Sequence, residues 1–213
     1  TYEPELQTAL RDFLRPGMTV YDVGANIGYI TLMMAHNVGV KGQVFAFEAL
    51  PVNVERIQKN ISLNKLANVT IISVAVLDRT APVTFYVHAS VGMGKAAGSA
   101  GRPAEQYTSE ISVPGVSLDE FVYLQGNPAP AAVKMDIEGG EVLALPGMRR
   151  ILQDQHPLLL LELHGPESER VAWETLTSVG YTLRAMEAGY PIISSPESLG
   201  WKAYLIAVKE DRK

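Results

Sequence analysis

Apolar and polar positions follow two different periods along this chain, and the switches between them mark out its elements. From residue 4 to 14, Leu6, Leu10, Phe13 and Leu14 recur at helical spacing until Pro16-Gly17, which predicts a short amphipathic helix. Residues 19–23 are an apolar run typical of a buried strand, and a helix follows over about 28–38. Residues 43–48 give a second strand that ends in Glu48. Pro51 opens the next helix, where its missing N–H costs little, and Val54, Ile57, Ile61 and Leu63 carry that helix to Asn64. Residues 69–76 read as a third apolar strand. The succession βαβαβ predicts a parallel sheet with right-handed crossovers and helices on both faces.

The middle of the chain changes character. Residues 82–88 alternate like an exposed strand, with 110–113 as the expected partner. Between them, 88–108 is rich in Gly, Ala and Ser and has no apolar period, so it reads as a lid or insertion loop. Ser117-Leu118-Asp119-Glu120 resembles a capping box that starts a short helix. A fourth strand over 131–136 leads through Gly139-Gly140 into a helix to about 152, which Pro146-Gly147 should interrupt. A fifth strand at 158–163, a helix at 167–179 and strands near 181–186 and 203–208 complete seven strands. With no internal repeat, the expectation is one domain over 1–213, with residues 1–16 as an N-terminal helix.

Composition narrows the classes. In 213 residues, 47% of them hydrophobic, there is material for one substantial core. A net charge of −5 gives no sign of a general nucleic-acid surface. No apolar run approaches the roughly 20 residues of a membrane span. The absence of Cys excludes disulfides and thiolate zinc sites and favours a reducing, cytoplasmic compartment. Thr1 is an unusual natural start, so a trimmed chain is expected. Oligomeric state is left open.

The chemistry gathers at strand ends. Gly24-Ala25-Asn26-Ile27-Gly28 joins the first strand to a helix, a geometry that suits a nucleotide-like cofactor at a helix N-terminus. Gly24 and Gly28 let backbone approach a ligand, while Asn26 either takes a left-handed turn or touches the ligand. The spacing is not the Gly-x-Gly-x-x-Gly of dinucleotide-binding dehydrogenases. Glu48, 20 residues beyond Gly28, is placed to accept hydrogen bonds from ribose hydroxyls; a dehydrogenase would share it, and the plainer reading is a solvated carboxylate. Asp136 stands at the carboxyl end of the fourth strand, where open parallel sheets bind ligands. Lys134 shares its face and can pair with a strand-end carboxylate. Glu138 and Glu141 are three apart around a helix start and can share one face, and Glu162 and His164 end the neighbouring fifth strand, so these two should approach Asp136 and Glu138. An imidazole among carboxylates is a natural proton acceptor near neutral pH. Asp136, Glu138, Glu162 and His164 also suit magnesium or manganese, but no spacing is diagnostic and no metal ligand is assigned.

Several motifs together resemble the FkbM family of class I methyltransferases: Asp22-Val-Gly-Ala-Asn-Ile-Gly28, Phe45-Ala-Phe-Glu48, Ala75-Val-Leu-Asp78, Ser117-Leu-Asp119, Val133-Lys-Met-Asp-Ile-Glu-Gly-Gly-Glu141, Leu143-Ala-Leu-Pro-Gly147 and Leu161-Glu-Leu-His164. The similarity runs from about residue 17 to 187, and the Lys-Met-Asp-Ile-Glu-Gly-Gly-Glu segment is its most specific part. The resemblance implies a Rossmann-like α/β fold with a seven-stranded, mostly parallel sheet whose last strand is antiparallel. It implies S-adenosylmethionine as donor and a hydroxyl of a sugar or polyketide-like small molecule as acceptor. Asp22 would then sit below the cofactor and Asp136 beside it. The adenine would fall near Val76 and Asp78, where either the Asp78 carboxylate or the backbone of Val76 and Leu77 could bind its amine; Asp78-Arg79 is also ordinary turn chemistry. His164 is the first expectation for the base and Glu138 the second, within a catalytic set that includes Asp136. A nicotinamide-dependent oxidoreductase and a non-catalytic binding module are the competing classes. Acceptor specificity would lie in the N-terminal helix and 88–108. His36, His88 and His156 read as surface or structural, Trp173 as core, and Trp201 as undecided.

Overall fold

The structure, a computed structural model, describes residues 2–90 and 92–209. In chain order the elements are α1 (Pro4–Phe13), β1 (Thr19–Val23), α2 (Tyr29–Val38), β2 (Gln43–Phe47), α3 (Pro51–Leu63), β3 (Val69–Ile72), β4 (Ala75–Leu77), β5 (Val83–Val87), β6 (Gly94–Ala96), β7 (Ser109–Val113), β8 (Gly115–Ser117) and α4 (Leu118–Tyr123). Then follow β9 (Ala132–Met135), α5 (Glu141–Ala144), α6 (Arg149–Asp154), β10 (Leu158–His164), α7 (Pro166–Ser178), β11 (Thr182–Ala185) and β12 (Lys202–Val208).

Seven strands form the central sheet in the order β11-β12-β10-β9-β1-β2-β3, and β12 runs antiparallel to both neighbours. The strand order reverses between β1 and β9, which is where open α/β sheets bind ligands. Alternation sorts side chains between two apolar layers. Tyr21, Phe47, Met135, Leu161 and Leu205 pack with Phe121, Leu145, Ile151 and Leu176 of α4 to α7 on one face. On the other, Val20, Val44, Leu160 and Ile206 meet α1 and α2 through Leu6, Leu10, Ile30 and Met34. At the carboxyl ends of this second face the pattern turns polar: Asp22, Lys134, Glu162 and His164 occupy positions that would otherwise be apolar.

Two local expectations need correction. The apolar run 69–76 is not one strand. Val74 N–H turns back to Ile72 O (3.0 Å), and Ala75 N–H leaves for Pro114 O (2.9 Å), so β4 pairs with β8 in a separate two-stranded sheet. The segment 88–108 is not without regular structure either. It contains β6, which adds to β5, and a 3-10 turn at Ala104–Gln106, while β5 pairs antiparallel with β7; Val91 lies outside the described residues. A side chain at Gly94 would come within 2.5 Å of the Phe85 ring and 2.6 Å of Tyr86 O, so that strand pairing requires glycine. Elsewhere the punctuation acts as expected: Ser117 Oγ accepts from Glu120 N–H at the start of α4, and Pro146–Met148 breaks the helix between α5 and α6.

Gly24, just past β1, has φ +78, and a Cβ there would lie 1.9 Å from the Asp136 carbonyl oxygen. The sequence reading gave this glycine to close approach of a ligand; the nearer constraint is the backbone beyond β9. Gly24→Ala should therefore destabilise the fold by about 2–5 kcal/mol, combining the left-handed strain with a forced backbone shift. Urea denaturation measures this, and a loss below about 1 kcal/mol would show that the two strand ends separate freely.

Candidate active site

The cavity at the strand-order reversal has a volume of about 570 Å³. Gly24, Asn26, Glu48, Val76, Asp136 and Glu138 all line it, so five of the residues expected to contact cofactor (Asp136 among them) and two of the three catalytic candidates share one space. Tyr2, Tyr29, Leu50, Arg56, Met93 and Lys134 also line it. Tyr2 and Tyr29 meet edge to face at 5.4 Å, both partly exposed. Motif reading passed over them: Tyr29 directly follows the glycine turn at the start of α2, whereas Tyr2 precedes α1 and is brought to the cavity only by the fold.

Asp22, Gly28 and Asp78 lie away from the cavity wall. Asp22 is fully buried: Thr31 Oγ1 donates to its Oδ2 at 2.6 Å, and Lys134 Nζ lies 3.1 Å from its Oδ1. Lys134 Nζ also donates to Gly24 O at 2.8 Å. Burial works against the lysine's charge, but Asp22 and Asp136 outweigh it and hold its pKa above the ordinary value. The pairing expected for Lys134 thus exists, and it supports the glycine turn from beneath. Gly28, at φ +87, precedes α2, and a Cβ there would lie 3.3 Å from the Ile57 side chain, so it serves helix packing. Asp78 pairs with Arg79 at 3.0 Å on the surface.

The turn itself is largely satisfied from within. Gly24 and Ala25 N–H both reach Phe47 O at 3.0 Å, and Gly28 N–H reaches Ala25 O. Asn26 adopts the left-handed conformation (φ 52), and its N–H donates to Glu48 Oε2 at 2.8 Å. Glu48 Oε1 accepts from Leu50 N–H, also at 2.8 Å. Burial pushes the Glu48 carboxyl upward, and those two amides pull against it. The Asn53 side chain is a third donor to this carboxylate, so of its roughly four acceptor positions about one is left for a ligand hydroxyl. Helix α2 starts with no side-chain cap, so its first-turn N–H groups remain available beside Tyr29 and Ile30, which line the cavity.

At the other end, His164 lies at the centre of four carboxylates. Its Nε2 is 3.2 Å from Glu162 and 3.9 Å from Glu138; its Nδ1 is 3.9 Å from Glu141 and 4.0 Å from Asp136. Lys202 adds an ion pair to Glu162, and Arg102 approaches Glu138 at 3.8 Å. Glu141 is fully buried and holds the Ile137 N–H (3.0 Å) and Ser168 Oγ (3.2 Å). Burial disfavours charge on the imidazole, yet Glu141, Glu162 and Asp136 overcome it and raise its pKa to about 10. Burial also pushes the Asp136 carboxyl up, to about 7; Lys134 and His164 oppose the rise, and Glu162 and Glu141 add to it.

These charges bear on which group can take up a proton. His164 already holds its proton at neutral pH and lies behind the cavity wall, whereas Asp136 lines the cavity and titrates near neutrality. Glu138 lines it too, with its backbone in the left-handed region (φ 55), a conformation a non-glycine residue holds only when its surroundings enforce it. Asp136, Glu162 and His164 each place a ligand atom within 4.8 Å of the others. A divalent ion there would have to displace the imidazole proton and compete with Lys202 for Glu162.

The chain matches the Methyltransferase FkbM domain model over residues 22–191. It is 39% identical over 59 residues to a protein-L-isoaspartate O-methyltransferase of Methanothrix thermoacetophila, a stretch covering 28% of each chain. Its fold is that of an FkbM methyltransferase from Methylobacillus flagellatus (17% identity, 95% of this chain and 50% of that one, TM-score 0.57). A SAM-dependent O-methyltransferase from Thermotoga maritima shares it as well (13% identity, 100% of this chain and 68% of that one, TM-score 0.55). The chain therefore spans about a quarter of the curated relative and half of the first structural one. With a family model that extends from the end of β1 past β11, this chain belongs to the FkbM methyltransferase family.

Proposed function

We propose that the protein is an S-adenosylmethionine-dependent O-methyltransferase acting on a hydroxyl of a small molecule of the sugar or polyketide type. The observation that carries the reading is a single cavity at the strand-order reversal with Glu48 and Asp136 on its wall. Family membership and the SAM-dependent relative of the same fold support the donor. The cavity's residues fit that group: Glu48 offers acceptors to the ribose hydroxyls, and Val76 gives an apolar surface for the adenine. The α2 N-terminus suits a carboxylate, and Asp136 suits a cation. S-adenosylmethionine held there would supply an electrophilic methyl group on sulfur for transfer to the acceptor oxygen.

The protein's own part is alignment and proton removal. Asp136 takes the acceptor's hydroxyl proton onto its carboxylate. His164, kept positive by Glu138, Glu141 and Glu162, helps hold Asp136 ionised and lets the clustered acids coexist. Glu138, on the same wall, orients the hydroxyl. Tyr2 and Tyr29 add aromatic surface to the same cavity. A cysteine-free chain of this kind suits the cytoplasm, and no helix among the described residues is long and apolar enough to cross a membrane.

Calorimetric titration with S-adenosylhomocysteine tests the cofactor assignment, with NADH as the competing ligand. Glu48→Gln should weaken binding by about tenfold to more than a hundredfold, the equivalent of ~1.5–3 kcal/mol for a lost charged hydrogen-bond partner. Unchanged affinity in a folded variant, or preferential binding of NADH, would sink the assignment.

Turnover can be followed by transfer of a radiolabelled methyl group to a panel of sugars and polyketide alcohols. A carboxylate base must be ionised, so the rate should fall as pH drops through about 7, and Asp136→Asn should lower it by ~10²–10⁴-fold. Because His164 lowers the Asp136 pKa, His164→Asn should move the acidic limb to higher pH. A profile flat from about pH 5 to 9 would remove Asp136 as the base.

A further inference from the structure

Lys95 belongs to no motif, yet it is among the most deeply buried charged residues of the chain, at 5% exposure. It sits on β6 opposite Tyr86. A buried ammonium is costly unless its protons are bound. Here Nζ donates to three main-chain carbonyls: Ser99 (3.1 Å), Ala100 (3.0 Å) and Arg102. Three donors meet three acceptors in one short stretch of chain, which leaves that stretch little freedom. Burial lowers the Lys95 pKa, and Glu105 and Glu138 pull it back up.

That stretch lies directly over the acid cluster. Ala100 N–H donates to Gly139 O at 2.9 Å. A Cβ on Gly139 would come within 2.3 Å of Ala100 O, and one on Gly101 within 3.2 Å of Glu138 O and 3.6 Å of His164 Cβ. Arg102 reaches the Glu138 carboxylate. Ser99 lines the main cavity on one side and, on the other, a second, open cavity of about 680 Å³ bordered by Trp201. Residues 98–103 thus form a wall of the second space, and Ser99 among them also lines the first.

We propose that Lys95 is a positioning residue for the reaction: by gathering the Ser99, Ala100 and Arg102 carbonyls it presses this wall onto Gly139, fixes Glu138 in its left-handed conformation and keeps water off the His164 side of the acid cluster. The proposal deepens the methyltransferase reading and rests on it for its meaning in catalysis, but its physical content is measured without any turnover. A lysine that merely adds stability would leave the cluster's electrostatics unchanged when replaced; a clamp would not.

The test compares wild type, Lys95→Met and Lys95→Arg in the absence of acceptor. Hydrogen exchange reads the wall, NMR titration reads the His164 imidazole, and calorimetry with S-adenosylhomocysteine reads the cofactor site. In Lys95→Met, amide exchange over 98–103 should accelerate by at least about tenfold while the central sheet stays protected. The His164 titration should move down from about 10 as water screens Asp136, Glu138, Glu141 and Glu162, with Lys202 and Arg102 still in place. Cofactor affinity should stay within about twofold, and Lys95→Arg should restore slow exchange and the high titration. Should Lys95→Met not fold, Ala100→Pro removes the Gly139 bond from the other side and should give the same two signals. Unchanged exchange and an unchanged His164 titration in a folded variant would overturn the clamp. Failure of wild type to bind S-adenosylhomocysteine would instead overturn the functional reading and leave the clamp's two signals to stand or fall separately.

Discussion

The arrangement depends first on one buried ion pair. Asp22 and Lys134 face each other in register across β1 and β9, where the apolar layer of that face gives way to polar side chains at the carboxyl ends of the strands. Either charge alone in that interior would be expensive, of order 3–5 kcal/mol when a partner is lost, so each requires the other. The pair also has spare hydrogen-bonding capacity, and the fold uses it. Asp22 draws in Thr31 of α2, and Lys134 draws in the Gly24 carbonyl. The glycine turn, the start of α2 and the end of β9 are therefore fixed relative to one another from below. The cavity above inherits its shape from that arrangement.

A second charge system sits one step outward, and its logic differs. Around His164 the chain brings four carboxylates within 4.0 Å of one ring, more negative charge than a single imidazolium balances. The surplus is shared among Lys202, Arg102 and Lys134, and by the proton that Asp136 keeps until near neutrality. Such a cluster is costly to assemble and suits a site that must accept a proton, since one of its members is poised at the working pH. Its sensitivity to water also explains why the wall over it is tied down by a buried lysine. The Asp22–Lys134 pair holds shape, and the His164 cluster holds reactivity.

Much of this was legible in the sequence. Apolar runs at 19–23, 43–48, 131–136 and 158–163 are the central strands because a strand covered on both faces has almost no choice of residue type. Pro51, Ser117 and Pro146-Gly147 set helix starts and breaks through local backbone chemistry that needs no distant partner. The alternation along the fourth strand placed Lys134 on the face where it meets Asp22, and the adjacency of the fourth and fifth strands put His164 among the acids. Family motifs named Glu48 and Asp136, and both line the cavity.

What the sequence left open depended on partners remote along the chain. The run 69–76 looked continuous because both of its halves bury apolar side chains; only pairing with Gly115–Ser117 moved β4 into another sheet. The strand at Gly94–Ala96 carries no apolar period, since backbone bonds to β5 and the lack of a side chain at Gly94 hold it. Asp22, Gly28 and Asp78 are correctly typed for a cofactor motif yet lie off the cavity wall, a matter of depth and direction that spacing does not encode. His164 shows the limit most plainly. Its identity and neighbourhood follow from the sequence, but its charge follows from the field of carboxylates converging from β9, β10 and the start of α5. Carboxylates at these distances raise its pKa, and electrostatic energy depends on distances that only the folded chain sets.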